Sequence, residues 1–334
     1  MRQVRARIEV SLRAFVVALL AAGLLGVPHV GEGQPAGKIY RIGVLHRGAG
    51  PLPHLDAAFQ HGLRELGYVV GQNVVLERRS ARGDVGRLHE LAAELVRVKV
   101  DLILAVGDEV IDAARQATSR IPIIMIACDA VEAGLVQSLA RPGGNITGIT
   151  CISGDLAGKR LQLLREAVPR FTRLAVLYNP GDPHAVLEVR KAQLIAREWR
   201  VEVQALEARV STDLQGRFRT MANQRADALY VIGDSFTVLH AKEIIELAAK
   251  ARLPAIYAYR QFPDAGGLIA YGPNLVDMFR RVAMYVDKVL RGISPVELPV
   301  EQPTKFELVI NMKAAKALGL AVPPALLLQA EVVE

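Results

Sequence analysis

Short apolar runs alternate with amphipathic stretches along almost the whole chain. Runs at residues 39–45, 74–78, 102–106, 121–127 and 146–151 read as strands, because each is rich in Val, Ile, Leu and Ala and most are bounded by turn residues. Between them lie stretches with apolar residues at helical spacing: 54–66, 85–97, 110–117 and 154–168. In 85–97, Leu88, Leu91, Ala92 and Leu95 share one face. Gly67 is placed to stop the first helix and Asp84 to cap the second. The second half repeats the alternation. Strands are expected at 174–178, 201–205, 228–232, 255–257, 268–271 and 306–310. Helices are expected at 183–198, 211–223, 275–290 and 313–318, with one more opening at Ser235 or Thr237 and running to 250. Ser211 and Asn274 are candidate caps.

Alternation of this kind builds parallel sheets with right-handed crossovers and helices on both faces. The segment Arg173-Leu-Ala-Val-Leu-Tyr-Asn-Pro-Gly-Asp182 is a strand feeding a turn and then a helix. It echoes the start of the pattern, where the run at 39–45 feeds Arg47-Gly-Ala-Gly-Pro51 and the helix after it. The fold class expected is therefore α/β, with two doubly wound parallel-sheet lobes facing each other. Ligands of such sheets bind beyond the carboxyl ends of the strands, so the loops after each strand are the ones to inspect.

Composition supports a large core. Of 334 residues, 51% are hydrophobic but only 5% aromatic, which suits buried parallel strands built from aliphatic side chains. The first residues stand apart from this pattern. Arg2, Arg5, Arg7 and Arg13 precede an apolar stretch at 14–26 that is short for a membrane span, and Gly31 and Gly33 follow it. This reads as a signal peptide over residues 1–33, with an uncleaved anchor as the other reading. The formal charge of +7 falls to +5 beyond that leader, and the remaining basic residues are interspersed with acids. That argues against a nucleic-acid surface. Cys128 and Cys151 each end a predicted strand. A disulfide is open to them if those strands are neighbours, but two buried free thiols are the preferred expectation.

Catalytic and metal motifs are absent at the level of local spacing. Gly154-Asp-Leu-Ala-Gly-Lys159 lacks phosphate-loop spacing and is followed by Arg160. Gly233-Asp-Ser-Phe-Thr237 lacks the second glycine of a nucleophile elbow. His54 and His61 share a helix face without a carboxylate at metal spacing, so no metal and no cofactor are expected. What remains is polar residues at strand ends. Asp108, Asp129 and Asp234 stand there, each suited either to capping a helix or to binding an ammonium group. Asp234 is preferred for the second role because Ser235 or Thr237 could cap instead. Tyr257, Tyr259 and Tyr271 could wall a ligand or pack at a sheet edge. Asn179 could meet a ligand or serve the turn before Pro180. Trp199 is expected in the core.

Several strings together resemble the family of ABC transporter substrate-binding proteins that includes tryptophan- and tyrosine-binding members. They are Arg41-Ile-Gly-Val-Leu45, Gly62-Leu-Arg-Glu-Leu-Gly-Tyr68, Arg141-Pro-Gly-Gly-Asn-Ile-Thr-Gly148, Gly266-Gly-Leu-Ile-Ala-Tyr-Gly-Pro-Asn274, Tyr285-Val-Asp-Lys-Val-Leu290, Leu298-Pro-Val-Glu-Gln-Pro-Thr-Lys-Phe-Glu-Leu-Val-Ile-Asn311 and Lys313-Ala-Ala-Lys-Ala-Leu-Gly-Leu320. The resemblance covers the chain from about Lys38 onward. It implies a type I periplasmic-binding-protein fold, three crossovers between the lobes and closure around a small molecule. It also implies a membrane permease with a separate ATPase as partners, and a periplasmic or otherwise extracytoplasmic location. Two loops depart from the family's usual pattern. Gly107-Asp108-Glu109 stands where a small-residue loop with Thr or Ser is usual, and Cys128-Asp129-Ala130 where a Gly-Asp-Pro type is usual. Acids in these loops disfavour a nearby ligand carboxylate and favour a cation.

The expectation is thus a monomeric binding protein rather than an enzyme. Lobe 1 would comprise 38–150 with 274–300, and lobe 2 would comprise 151–273 with 301–334. The expected ligand contacts are Gly48, Ala49, Asp108 and Asp129 from lobe 1, and Asn179, Asp234, Tyr257 and Tyr271 from lobe 2. The competing readings are the ligand-sensing domain of a transcriptional regulator and an exported α/β enzyme.

Overall fold

The computed structural model describes residues 38–48 and 52–334. The leader and Ala49 therefore lie outside the described residues. The first sheet holds β1 (Tyr40–His46), β2 (Val74–Ser80), β3 (Leu102–Val106), β4 (Ile123–Cys128) and β5 (Ile146–Cys151), all parallel in the order β2-β1-β3-β4-β5. Strands β4 and β5 are buried along their whole length; β4 is apolar throughout, and in β5 Thr147 donates to the Leu298 carbonyl while Thr150 accepts from the Ala130 N–H. Helices α1 (Pro53–Glu65), α2 (Leu88–Arg97) and α3 (Asp108–Ala117) flank this sheet.

The second sheet runs β12-β11-β10-β9-β8-β6-β7. Its strands are β6 (Arg173–Tyr178), β7 (Glu202–Glu207), β8 (Ala228–Val231), β9 (Ala255–Tyr257), β10 (Ile269–Pro273), β11 (Phe306–Asn311) and β12 (Glu331–Val333). Only the β10–β11 pair is antiparallel among them. Helices α4 (Ser153–Ala167), α5 (Pro183–Glu198), α6 (Ser211–Asn223), α7 (Ser235–Leu239), α8 (Ala241–Lys250) and α9 (Gln261–Asp264) belong here. So do α11 (Met312–Leu318) and α12 (Pro324–Leu327), which follow β11.

Helix α10 (Leu275–Leu290) does not stay with the strand it follows. Its buried face, including Met278, Phe279, Val282 and Val286, joins Leu55, Phe59 and Leu63 of α1 in the first lobe's core. Each such side chain contributes roughly 1.5–3 kcal/mol on burial. The two helices meet closely at Gly62, where a Cβ would strike the Arg280 carbonyl. The chain therefore passes between the lobes three times: from β5 into α4, from β10 into α10, and after Glu301, whose backbone bridges Ile149.

Buried Arg160 of α4 braces these crossings. It donates to Glu188 (2.5 Å), to the Ser153 hydroxyl (3.0 Å) at the first crossing, and to the Tyr271 carbonyl (2.8 Å) just before the second. Tyr230 also donates to Glu188.

Several local expectations need correction. Cys128 and Cys151 are register partners in β4 and β5 and are disulfide-bonded, so the preference for free thiols fails. Adjacent parallel strands brought the two sulfurs together. The helix expected at 110–117 begins at Asp108, which moves both acids of that loop into its first turn. The helix expected at 85–97 opens with a 3-10 turn, and the one ending at Lys250 breaks near His240. Ser211 is the first residue of α6 rather than its cap; Asp213 turns back to accept from the N–H groups of Arg209 and Val210. Asp234 itself caps α7, displacing Ser235 and Thr237 from that role.

Candidate functional site

The carboxyl ends of β1, β3 and β4 face those of β6 and β8 across a cleft. Deep in it lies a cavity of about 220 Å³ walled by both lobes. Leu52, Leu55, Met278 and Phe279 give it an apolar patch, continuous with the first lobe's core. The polar groups gather elsewhere on its wall. Asp108 comes from the first turn of α3, while Asp182 and His184 come from the start of α5. Asp234 and Ser235 come from the turn after β8. A second, outer groove of about 930 Å³ shares Arg47 and Asp108 with the cavity.

Between the two spaces the lobes touch through polar side chains. Arg47 pairs with Glu109, and its guanidinium lies 5.5 Å from the centre of the Phe236 ring of the other lobe. The other Glu109 oxygen accepts from Asn179 Nδ2 at 2.8 Å. Deeper, Asp182 Oδ1 lies 2.6 Å from His184 Nδ1, and Asp108 Oδ2 lies 3.7 Å from the same nitrogen. Burial acts to lower the pKa of the His184 ring, but the Asp182 and Asp108 carboxylates outweigh it and hold the ring well above its ordinary value. Burial, reinforced by the Asp182 charge, lifts Asp108 to about 6 and Asp234 to about 7. His46, on the same wall, is pushed down to about 4, first by burial and then by Arg78.

The expected contacts divide. Gly48, Asp108 and Asp234 line the cavity. Asn179 lies in the outer groove, joined to Glu109. Asp129 sits at the first crossing with φ +49°, accepting from the Gly154 N–H at 2.9 Å. Tyr257 is turned into the second lobe's core, stacked 4.6 Å from Phe262, and lines a separate cavity beside α8 and α11. Tyr271 packs against Phe306. Neither tyrosine lines the interlobe cavity. Tyr259 does, with its hydroxyl donating to the Gly233 carbonyl. Asp234 accepts from the N–H groups of Phe236, Thr237 and Asn179, so its carboxylate is already occupied.

Sequence reasoning missed His46, Arg47, Asp182, His184 and Ser235. Asp182-x-His184 reads locally as an ordinary helix start. Its meaning appears only when Asp108 arrives from the other lobe.

The family description "ABC transporter substrate binding protein" matches residues 52–334. The chain belongs to this family. It is 30% identical over 273 residues to a tyrosine-binding protein of Clostridioides difficile, covering 80% of this chain and 78% of that one. The structure of an ABC domain in complex with L-Trp from Streptococcus pneumonia superposes with a TM-score of 0.82 at 24% identity, covering 88% of this chain and 99% of that one. The ligand-free, open structure of a Clostridium difficile substrate-binding protein with adhesive properties gives 0.63 at 26% identity, covering 89% and 99%. At similar identity the ligand-free, open structure superposes less well than the L-Trp complex. Members of the family bind small molecules and work with ABC transporter permeases; it is a family of binding proteins and not of enzymes. Among the described residues, no helix is long and apolar enough to cross a membrane.

Proposed function

We propose that this chain captures a small, amino-acid-like solute outside the cytoplasm and hands it to a permease driven by a separate ATPase. Residues 1–33 would be the signal peptide that exports it. Lobe 1 (38–150 with 274–300) and lobe 2 (151–273 with 301–334) would close on the solute as a monomer, with no catalysis, no cofactor and no nucleic-acid partner. One observation carries this reading: a single cavity takes walls from both lobes, so a solute touching both favours the closed state. The apolar patch suits the body of the solute, and the acids at the polar part of the wall suit positive charge rather than a carboxylate. Gly48, Asp108 and Ser235 are the proposed polar contacts, and Asp234, on the same wall, fixes the turn that carries Ser235 through the three N–H groups it accepts from. Ala49 follows Gly48 directly and is retained with them. Asn179 acts through the closed contact with Glu109. Asp129 acts through the hinge, and Tyr257 and Tyr271 through the second lobe's core.

A thermal-shift screen over amino acids, their amines and small peptides tests the proposal. A true solute at a hundredfold excess over its Kd stabilises the protein by about 2.7 kcal/mol. Ser235→Ala removes a buried cavity hydroxyl that has no partner among the described residues, and should weaken the shift. Chemical conversion of the stabilising compound, or no stabilisation by any class, overturns the proposal.

A further inference from the structure

We infer that Asp108, Asp182 and His184 form a site for one divalent transition-metal ion of the zinc class, held between the two lobes. One ligand atom from each lies within 4.8 Å of the others, and the three residues are 2%, 1% and 3% exposed. Their free valences converge. Neither oxygen of Asp108 accepts a hydrogen bond, nor does Asp182 Oδ2, and His184 Nδ1 has no well-aligned partner, among the described residues. Leaving such groups unmet costs roughly 1–3 kcal/mol each, and more when they are charged.

The histidine is held as a ligand would be. Its Nε2 lies 3.2 Å from the Gly233 carbonyl, which can only accept, so Nε2 carries a hydrogen; Nδ1, facing the two carboxylates, is the nitrogen that binds an ion once its own proton is displaced. Charge leads to the same place. Asp234 is satisfied by three backbone N–H groups, and Arg47 is matched by Glu109. That leaves two buried carboxylates beside one imidazole, which a divalent ion and a neutral ring would balance. One nitrogen and two oxygen donors suit zinc-like ions, whereas magnesium and calcium prefer more oxygens. An ammonium group would use the carboxylates but not the Nδ1 lone pair. All three residues line the cavity, so a further coordination position faces it. Because Asp108 belongs to one lobe and Asp182 and His184 to the other, the ion would hold the cleft closed. The inference is independent of solute identity: a chain that binds no solute in the screen can still bind the ion, and the reverse.

The test uses the full chain stripped with a chelator and titrated with Zn²⁺ by calorimetry and with Co²⁺ by visible absorption. The expected result is one saturable ion per chain, with the d–d bands of low-coordinate cobalt. Asp108→Asn and His184→Gln should each lower the affinity about 100-fold or more, above the range for outer-shell partners. His61→Ala, on the exposed face of α1, should change nothing. No saturable binding, or binding that survives both substitutions, overturns the site. Should either variant fail to fold, zinc-edge X-ray absorption of the unsubstituted chain decides. One imidazole with oxygen donors supports the site, and two or more imidazoles overturn it.

Discussion

Asn179 of the second lobe donates from Nδ2 to Oε1 of Glu109 on the first at 2.8 Å. Glu109 is held in place from its own lobe by Arg47. The contact exists only while the lobes are together, so it favours the closed state without any solute. A hydrogen bond to a charged group is worth roughly 1.5–3 kcal/mol. Asn179→Ala should therefore open the solute-free protein, seen as a larger radius of gyration in small-angle scattering. It should also weaken solute binding about tenfold or more, since tenfold corresponds to about 1.4 kcal/mol. An unchanged scattering profile would show that other contacts govern closure.

Arg160 is buried completely and joined to Glu188, Ser153 and Tyr271. Removing one partner of a buried pair strands the other charge. Arg160→Ala is expected to destabilise by about 3–5 kcal/mol in urea unfolding. Replacing both, as Arg160→Met with Glu188→Leu, should cost clearly less than the single change. Equal losses would mean that the pair matters through packing and not through charge.

Asp129 should give a pH signature. Burial, acting against the bond from Gly154, raises its pKa to about 6 from an ordinary 3.8. Between those values the folded protein binds the proton more tightly than the unfolded chain. The stability this provides is present below about pH 4 and is lost as pH rises through 6. Asp129→Asn removes that loss while keeping an acceptor for Gly154, and Asn tolerates the positive φ. The variant's advantage over the parent should grow from near zero at pH 4 to roughly 3 kcal/mol above pH 6. His46, whose depressed pKa makes stability fall with acid, is common to both proteins and cancels in the comparison. An advantage that does not grow with pH would remove Asp129 from this role.

The disulfide joins residues 23 apart in sequence. Reduction, or Cys128→Ser with Cys151→Ser, should lower stability by about 3 kcal/mol through the freed unfolded chain. Equilibrium unfolding with and without reductant checks it, and coincident curves would show that the neighbouring strands hold themselves.

Much of the fold was legible because parallel strands advertise themselves. Leu102–Val106 falls where an unbroken apolar run puts it, and Ile146–Cys151 where a run interrupted by two threonines does. The rule that ligands sit beyond strand ends led to Gly48, Asp108 and Asp234, which line the interlobe cavity. It misplaced Tyr257, whose ring stacks inward on Phe262, because a residue ending a strand can face either the rim or the core. His184 was illegible for a different reason. Its partner Asp108 lies in the other lobe, and no local spacing encodes a contact made by closure. The disulfide needed the neighbour relation of β4 and β5, which periodicity does not supply.

The return of α10 to the first lobe bears on how such a protein can be inherited. Met278 and Phe279 cover a sheet whose last strand ended at Cys151, with the whole second sheet's first five strands encoded in between. No single break in the gene yields one intact lobe: a product stopped after β5 leaves α1 facing water. A single crossover that exchanges the second half of the gene therefore also replaces α10, and so changes the first lobe's core together with the second lobe.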